Sequence, residues 1–230
     1  MKTFFRFGLT AIALILVFNA FAITETKAQN ILPEILKRME THRNNLTSLR
    51  SSVMMVKYDS VLKVSDTTSG TASYVPLKGR DALVRIDWTK PLVETLAVAN
   101  GKYILYRPRL KQAIIGNTNN AKGPKANSAL SFMNMSKDEL RTNFAIKYLG
   151  GEKVSGDIST WHLELTPKTA QNYKSAELWV DGNGMPIQAK VVENNNDTTT
   201  ILLSNLEKNT KINTDIFIVK LPKDVKRIDG

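Results

Sequence analysis

The sequence predicts an α+β fold that is mainly β: a strongly curved antiparallel sheet of about eleven strands, with helices covering its concave face. Three observations lead there. Apolar residues alternate in one short segment after another, which is the period of a strand with one face buried. Most segments are joined by tight turns, whereas parallel strands need crossovers of about a dozen residues or more. The three- and four-residue spacing of a helix occurs in only two places, one near the start and one in mid-chain.

The first residues form a separate unit. Lys2 and Arg6 precede an apolar run from Leu9 to Phe18, broken only by Thr10, and small residues follow. This is the order of a secretory signal peptide. Cleavage is expected after Ala22 (in Ala20-Phe21-Ala22) or after Ala28, so that residues 1–28 are a leader and 29–230 a single domain. The run is shorter than the roughly 20 apolar residues of a spanning helix. The expected compartment is the periplasm. There is no cysteine. Lipid modification on cysteine, disulfides and thiolate chemistry are therefore excluded, and a mature chain of about 200 residues must be held by its core alone.

The chain has 32 basic and 21 acidic residues. Without Lys2, Arg6, Lys27 and Glu25 of the leader, 29 and 20 remain. The basic residues are scattered, which fits simple solubility, and an exported protein has no nucleic acid to meet. An anionic membrane surface or an acidic partner is the alternative use of the excess.

After the leader, Ile35, Leu36, Met39, Leu46 and Leu49 place a helix over Ile31 to Leu49, with Pro33 in its first turn. Strands follow. Ser52 to Tyr58 carries Met54, Val56 and Tyr58 on its apolar face. Thr71 to Val75 is the next. Ala82 to Trp88 carries Ala82, Val84, Ile86 and Trp88. Val93 to Ala99 and Lys102 to Arg107 flank Asn100-Gly101, a dipeptide suited to a turn with both residues at positive φ. Gln112 to Ile115 ends this series. Gly116 to Ser128 is a polar loop. Leu130, Phe132, Met133 and Met135 come next, and then Ser136 and Glu139, spaced as a capping box that opens the second helix. Leu140 and Phe144 share one face of that helix.

Strands return with Ala145 to Val154, interrupted at Gly150-Gly151. Thr160 to Pro167 sets Trp161, Leu163 and Leu165 against His162 and Glu164. Ala176 to Val180, Pro186 to Glu193 and Thr198 to Leu206 are joined by turns at Asp181–Gly184 and Asn194–Asp197. Phe217, Ile218, Val219 and Leu221 form the last strand, before Pro222, and the chain ends soon after.

Little of this is equipped for catalysis. His42 and His162 are the only histidines. There is no His-Glu-x-x-His, no Gly-x-Ser-x-Gly and no phosphate-cradling loop. His162 and Glu164 read as a surface pair. No metal, cofactor or catalytic residue is expected, and the protein is not expected to be an enzyme. Apolar volume is present instead. Met39, Met54, Met55, Met133 and Met135 fall in the first strand and the helical elements. Flexible thioethers suit a cover that re-packs around an apolar ligand, and they equally fill ordinary cores.

Several stretches together resemble a known family. They are Ile35-Leu36-x-x-Met39; Arg85-Ile86-Asp87-Trp88-x-x-Pro91; Asn100-Gly101-Lys102 leading to Leu105-Tyr106-x-Pro108; Gln112-Ala113; Leu163-x-Leu165-x-Pro167-Lys168; Leu178-Trp179-Val180-Asp181 with Gly184-x-Pro186; and Phe217 with Leu221-Pro222. From about Ile31 to Gly230 the chain resembles the periplasmic outer-membrane lipoprotein carriers, the LolA and LolA-like lipoprotein-sorting proteins. The resemblance implies an incomplete antiparallel β-barrel closed by a lid of helices over an apolar cavity.

In this chain the implied cavity would be lined by Leu36 and Met39 of the first helix and by Met54, Val56, Tyr58, Val84, Ile86 and Trp88 of the early strands. Met133, Met135, Leu140 and Phe144 would line it from the second helical region, and Trp161, Leu163, Leu165, Ile187, Ile201 and Leu203 from the late strands. The family's lid-latching arginine would be Arg80, in Gly79-Arg80-Asp81, or alternatively Arg85. The implied function is a monomeric carrier that shields the acyl chains of lipoproteins. It would take them from an inner-membrane ABC lipoprotein-releasing transporter to an outer-membrane acceptor or to the outer membrane itself. A regulatory module of the same fold that senses lipid or lipoprotein is the alternative. Such modules usually carry a second domain, and a chain ending at Gly230 favours the carrier.

Overall fold

A computed structural model describes residues 22–77, 80–118 and 131–230. Most of the expected leader, including Lys2, Arg6, the Leu9–Phe18 run, Ala20 and Phe21, lies outside the described residues. So do Gly79, Leu130 and most of the expected loop over Gly116 to Ser128.

Helix α1 spans Ala22–Asn45. It starts earlier than its apolar spacing predicts, so Pro33 lies inside it and not in its first turn. It also stops earlier, because a side chain from the end of the strand that pairs with Leu49 intercepts its exit. Asn209 accepts from the Thr47 amide at 2.8 Å and donates to the Asn45 carbonyl at 3.3 Å. Leu49 therefore opens a strand.

Twelve strands form one sheet among the described residues. The first six are β1 (Leu49–Asp59), β2 (Val64–Leu77), β3 (Arg80–Lys90), β4 (Glu94–Ala99), β5 (Lys102–Arg107) and β6 (Gln112–Asn117). A short helix, α2 (Lys137–Asn143), precedes β7 (Phe144–Val154), β8 (Ile158–Pro167), β9 (Tyr173–Asp181), β10 (Pro186–Glu193) and β11 (Thr198–Lys208). The last strand is β12 (Lys226–Asp229). The order across the sheet is β12-β6-β5-β4-β3-β2-β1-β11-β10-β9-β8-β7. The sheet is an antiparallel meander whose two halves meet where β1 pairs with β11.

The local signals act as expected. Asn100 and Gly101 take φ of 53° and 72° in the β4–β5 hairpin. The Ser136 hydroxyl accepts from the Glu139 amide, and the Glu139 carboxylate accepts from the Ser136 amide, so the capping box is complete. The β7–β8 ladder shifts register between Tyr148 and Gly150, where the Gly150-Gly151 interruption was expected.

The closing segment differs from expectation. Phe217 to Leu221 is no strand. Thr214–Phe217 is a 3-10 turn with Phe217 buried, and the chain then continues to β12, which pairs parallel to β6. Seventeen residues between Lys208 and Lys226 carry the chain from β11 to β12 at the sheet edge, whose parallel partner β6 lies over a hundred residues earlier.

Register sets the core face. Val53 and Met55 stand opposite Leu203 and Ile201, Ile201 opposite Ala189, Ala189 opposite Leu178, and Leu178 opposite Leu163. In the other direction Ala72 leads to Ile86, Leu96, Leu105 and Ile114. One aliphatic surface thus crosses nearly the whole sheet, and Ile35, Leu36 and Met39 of α1 are buried in the same core.

Candidate functional site

The site is the core face of the sheet beneath the helices. Leu163, Leu165, Leu178, Ile187 and Ile201 are essentially inaccessible there, as are Ile35, Leu36 and Leu140 from the helical side. Gly184, in the β9–β10 turn, seats α1. A Cβ on it would stand 2.3 Å from the carbonyl carbon and oxygen of Arg38. Arg38 itself donates to the Gly182 carbonyl at 2.9 Å, and its guanidinium lies 5.4 Å from the centre of the Trp161 ring.

A second set of contacts joins α1, the connector before α2 and the sheet. Glu40 of α1 accepts from the Lys137 amide at 2.9 Å. Arg43 donates to the Asn134 carbonyl at 3.3 Å. From below, the Tyr74 hydroxyl of β2 reaches Oδ1 of the same Asn134. Burial pushes the Tyr74 phenol up to about 12, so it is a neutral donor at any physiological pH. The helical turn at 131–133 is pinned by Phe132, which meets Phe144 and Tyr173 edge-on at 5.7 and 5.5 Å.

Most residues expected at the cavity meet on this face. Leu36, Met39, Ile86, Trp88, Leu140, Phe144, Leu163, Leu165, Ile187, Ile201 and Leu203 are buried in one cluster, with Val84, Met133, Met135 and Trp161 packed against it. Met54, Val56 and Tyr58 are a correction: they point to the other face. Met54 stands opposite Leu202 and Ser69, and it is exposed, as is Tyr58. In Val53-Met54-Met55-Val56 either parity looks apolar. The deciding signal is upstream, where the odd parity takes Leu49 and the even one Arg50. Val53, Met55, Leu96, Leu178 and Met185 are core residues that strand periodicity did not single out, and Ile35, read as part of the first helix, joins them.

The two latch candidates fare differently. Arg80 begins β3, and its side chain lies outside the described residues. Arg85 is on the outer face, away from the helices. It forms a fork with both carboxylate oxygens of Asp87, at 2.7 and 2.8 Å, and donates to the Ile216 carbonyl at 2.6 Å. Its role is to strap the Thr214–Phe217 turn to the outside of β3. The described contacts that bind helix to connector and sheet come instead from Arg38, Glu40, Arg43 and Tyr74.

His162 also lies on the outer face. Its ring stacks on Trp179 with centroids 4.2 Å apart and lies between Glu152 and Glu177, at 3.0 and 2.8 Å. Glu164, the expected partner, is not the one it meets. Glu177 also holds Lys190 at 3.0 Å, and Trp179 donates to Glu152 at 2.7 Å. These contacts bind four strands together outside the core and place no titratable pair within it. Among the described residues no group of three potential ligands could hold a metal ion, and no helix is long and apolar enough to cross a membrane.

A family model described as outer membrane lipoprotein carrier protein LolA matches residues 63–220. The chain belongs to the LolA family. The family is one of carrier and binding proteins that are periplasmic or otherwise exported, and the LolA-type sheet with its helical cover is the fold observed here. Solved structures agree on the fold. An uncharacterized conserved protein from Thermus thermophilus is 14% identical, with a TM-score of 0.54, over 86% of this chain and 99% of that one. MucB is 12% identical, with a TM-score of 0.51, over 85% of this chain and 63% of that one. No curated protein sequence matches.

Proposed function

We propose that this LolA-family protein is a periplasmic lipoprotein carrier. Its leader would be removed after Ala22 or Ala28, upstream of the helix turn that bears Ile35, Leu36 and Met39. It would hold acyl chains between the sheet and α1–α2, receive them from an inner-membrane ABC transporter and deliver them to the outer membrane or an acceptor there. No step calls for a catalytic residue or a cofactor.

The observation that carries this reading is the mismatch between the aliphatic face and its cover. The face runs across nearly the whole sheet, while α1 covers it with three buried apolar side chains, two half-buried ones (Ile31 and Leu32) and a few polar contacts. Withdrawing three such side chains costs about 5–9 kcal/mol, at about 1.5–3 kcal/mol each. An acyl chain returns about 0.8 kcal/mol per buried methylene, so roughly a dozen methylenes offset the loss. A helix held this way exchanges for cargo, whereas an ordinary core does not. The methionines at the site, Met39, Met55, Met133 and Met135, suit re-packing around chains of different shape.

The test is native mass spectrometry of protein taken directly from the periplasm. A bound mass corresponding to acylated ligand, on a chain beginning at Ile23 or Gln29, is the expected result. Protein that is lipid-free under every condition, including after incubation with acylated lipoprotein, would sink the reading.

A further inference from the structure

Six of the eleven large exposed apolar residues among those described gather in three turns, the other five (Met54, Tyr58, Leu149, Ile158 and Ile218) lying singly elsewhere. Val61, Leu62 and Val64 belong to the β1–β2 turn and its exit, Leu92 and Val93 to the β3–β4 turn, and Leu110 to the β5–β6 connection. In a meander these three turns emerge at the same end of the sheet. Val61 is 81% exposed and Leu62 69%, nearly the accessibility of a free side chain. The turns elsewhere are polar: Asn100-Gly101 at the opposite end, Asp181–Gly184 likewise, and Asn194–Asp197 at the same end but in the other half of the sheet. The apolar rim is confined to β1–β6.

The β1–β2 tip is built to leave water. Its amides are satisfied from within: those of Val61 and Leu62 donate to Asp59 Oδ1 at 2.9 and 2.8 Å, and that of Lys63 to the Asp59 carbonyl at 2.9 Å. The Ser60 amide donates to Asp197 at 2.9 Å, and the Ser60 hydroxyl to the Asn195 carbonyl at 2.8 Å. Such a tip enters an apolar phase without carrying an unpaired backbone donor, which is the main obstacle for a non-helical segment there.

The rim is also cationic. Lys63, Lys90 and Arg109 are exposed, one beside each apolar turn. Of the carboxylates at this end, Glu94 pairs with Arg107 at 3.2 Å and Asp224 with Lys111 at 2.7 Å, Asp59 and Asp197 accept amides of the tip, and Asp66 is exposed. Between the second and third turns, Leu92, Val93, Glu94, Arg107, Arg109 and Leu110 line an open groove. Without the leader the chain still carries 29 basic and 20 acidic residues, a net +9. Apolar tips interleaved with cations match a negatively charged bilayer surface, where side chains enter the acyl boundary and lysines meet headgroup phosphates.

We infer that the three turns after β1, β3 and β5 form a docking edge for an anionic lipid bilayer. The inference stands on the outer rim alone and does not require cargo beneath the helices.

The test is flotation of the purified protein with vesicles of equal parts phosphatidylglycerol and phosphatidylcholine, against pure phosphatidylcholine. The protein is expected to float with the mixed vesicles and far less with the neutral ones. The double substitution V61S/L62S, on side chains with almost no internal contact, is expected to lower partitioning about tenfold or more. The triple substitution K63E/K90E/R109E is expected to abolish the preference for anionic lipid, and Ile158→Ser at the opposite end to change nothing. Unchanged flotation in the first two variants, or loss of a protein partner without any vesicle binding, would overturn the proposal. Protein that takes up acylated cargo but never floats defeats the rim and spares the carrier; protein that floats but never holds cargo does the reverse.

Discussion

The Tyr74 hydroxyl, rising from the core face of β2, donates to Asn134 Oδ1 at 2.6 Å, and this bond ties the sheet to the connector between the helical elements. Asn134 is held on its other side as well, where its carbonyl accepts from Arg43 of α1. One residue thus joins the sheet, the first helix and the approach to the second.

Tyr74→Phe keeps the ring and removes only the donor. A hydrogen bond of this kind is worth about 1 kcal/mol net, which corresponds to roughly a fivefold rise in the open population. Hydrogen exchange in the second half of α1 and in residues 131–143 is expected to accelerate by about that factor, with β8–β11 unchanged. Exchange indistinguishable from the parent would show that the bond does not hold the helices down.

Gly184→Ala attacks the seat of α1. The position has φ of +86°, which costs a residue with a Cβ about 1–2 kcal/mol, and the new Cβ would lie 2.3 Å from the Arg38 backbone. A lower melting temperature is expected, with lost protection concentrated in α1. A loss spread evenly over the sheet would contradict this account.

His42 supplies an acid-sensitive element. Burial first, and then the charge of Lys208, hold its imidazole below the usual histidine range, against the opposing pull of Asp181. Its Nε2 is buried without a hydrogen-bond partner. A base whose folded pKa is depressed costs nothing while it is neutral in both states. Stability is therefore full above the ordinary histidine value of about 6.5 and declines as pH falls below it toward the folded value. Thermal melts at neutral pH and near pH 5, still above the carboxylate range, are expected to show a drop that His42→Leu reduces. An equal drop in both proteins would remove His42 from the explanation.

Ser136→Ala dismantles the capping box. Hydrogen bonds from the Ser136 hydroxyl, and then from its amide, hold the Glu139 carboxyl below the usual carboxylate range. Losing the cap costs about 1 kcal/mol. Residues 137–143 are expected to exchange faster while Ser136→Thr restores them. Failure of threonine to rescue would mean that the cap is not what orders α2.

What was legible in the sequence is what local chemistry decides. Asn100-Gly101 and Ser136-x-x-Glu139 encode their conformations within a few residues, and Val84, Ile86 and Trp88 share a face because a strand alternates. The face of β1 was not legible from 53–56, because valine and methionine fill both parities there and pairing with Ile201 and Leu203 decides between them. Nor was β12, a four-residue strand whose partner lies over a hundred residues away. Arg85 and His162 looked available for function until Asp87 and Ile216 in one case, and Glu152 and Glu177 in the other, were found to engage them. Asp87 is a same-face neighbour that spacing does show, whereas Ile216, Glu152 and Glu177 come from elsewhere in the fold and leave no trace in it.

The sheet ends at β12 on one side and β7 on the other, and these two strands do not pair. In a closed barrel, strand number and stagger together fix the diameter. Here no ring of hydrogen bonds sets a circumference. The curvature is held by side chains, Phe132, Phe144 and Tyr173 on one flank and Phe217 on the outside of the other. Rolling one flank against the other would therefore strain packing alone and leave every ladder within the sheet intact.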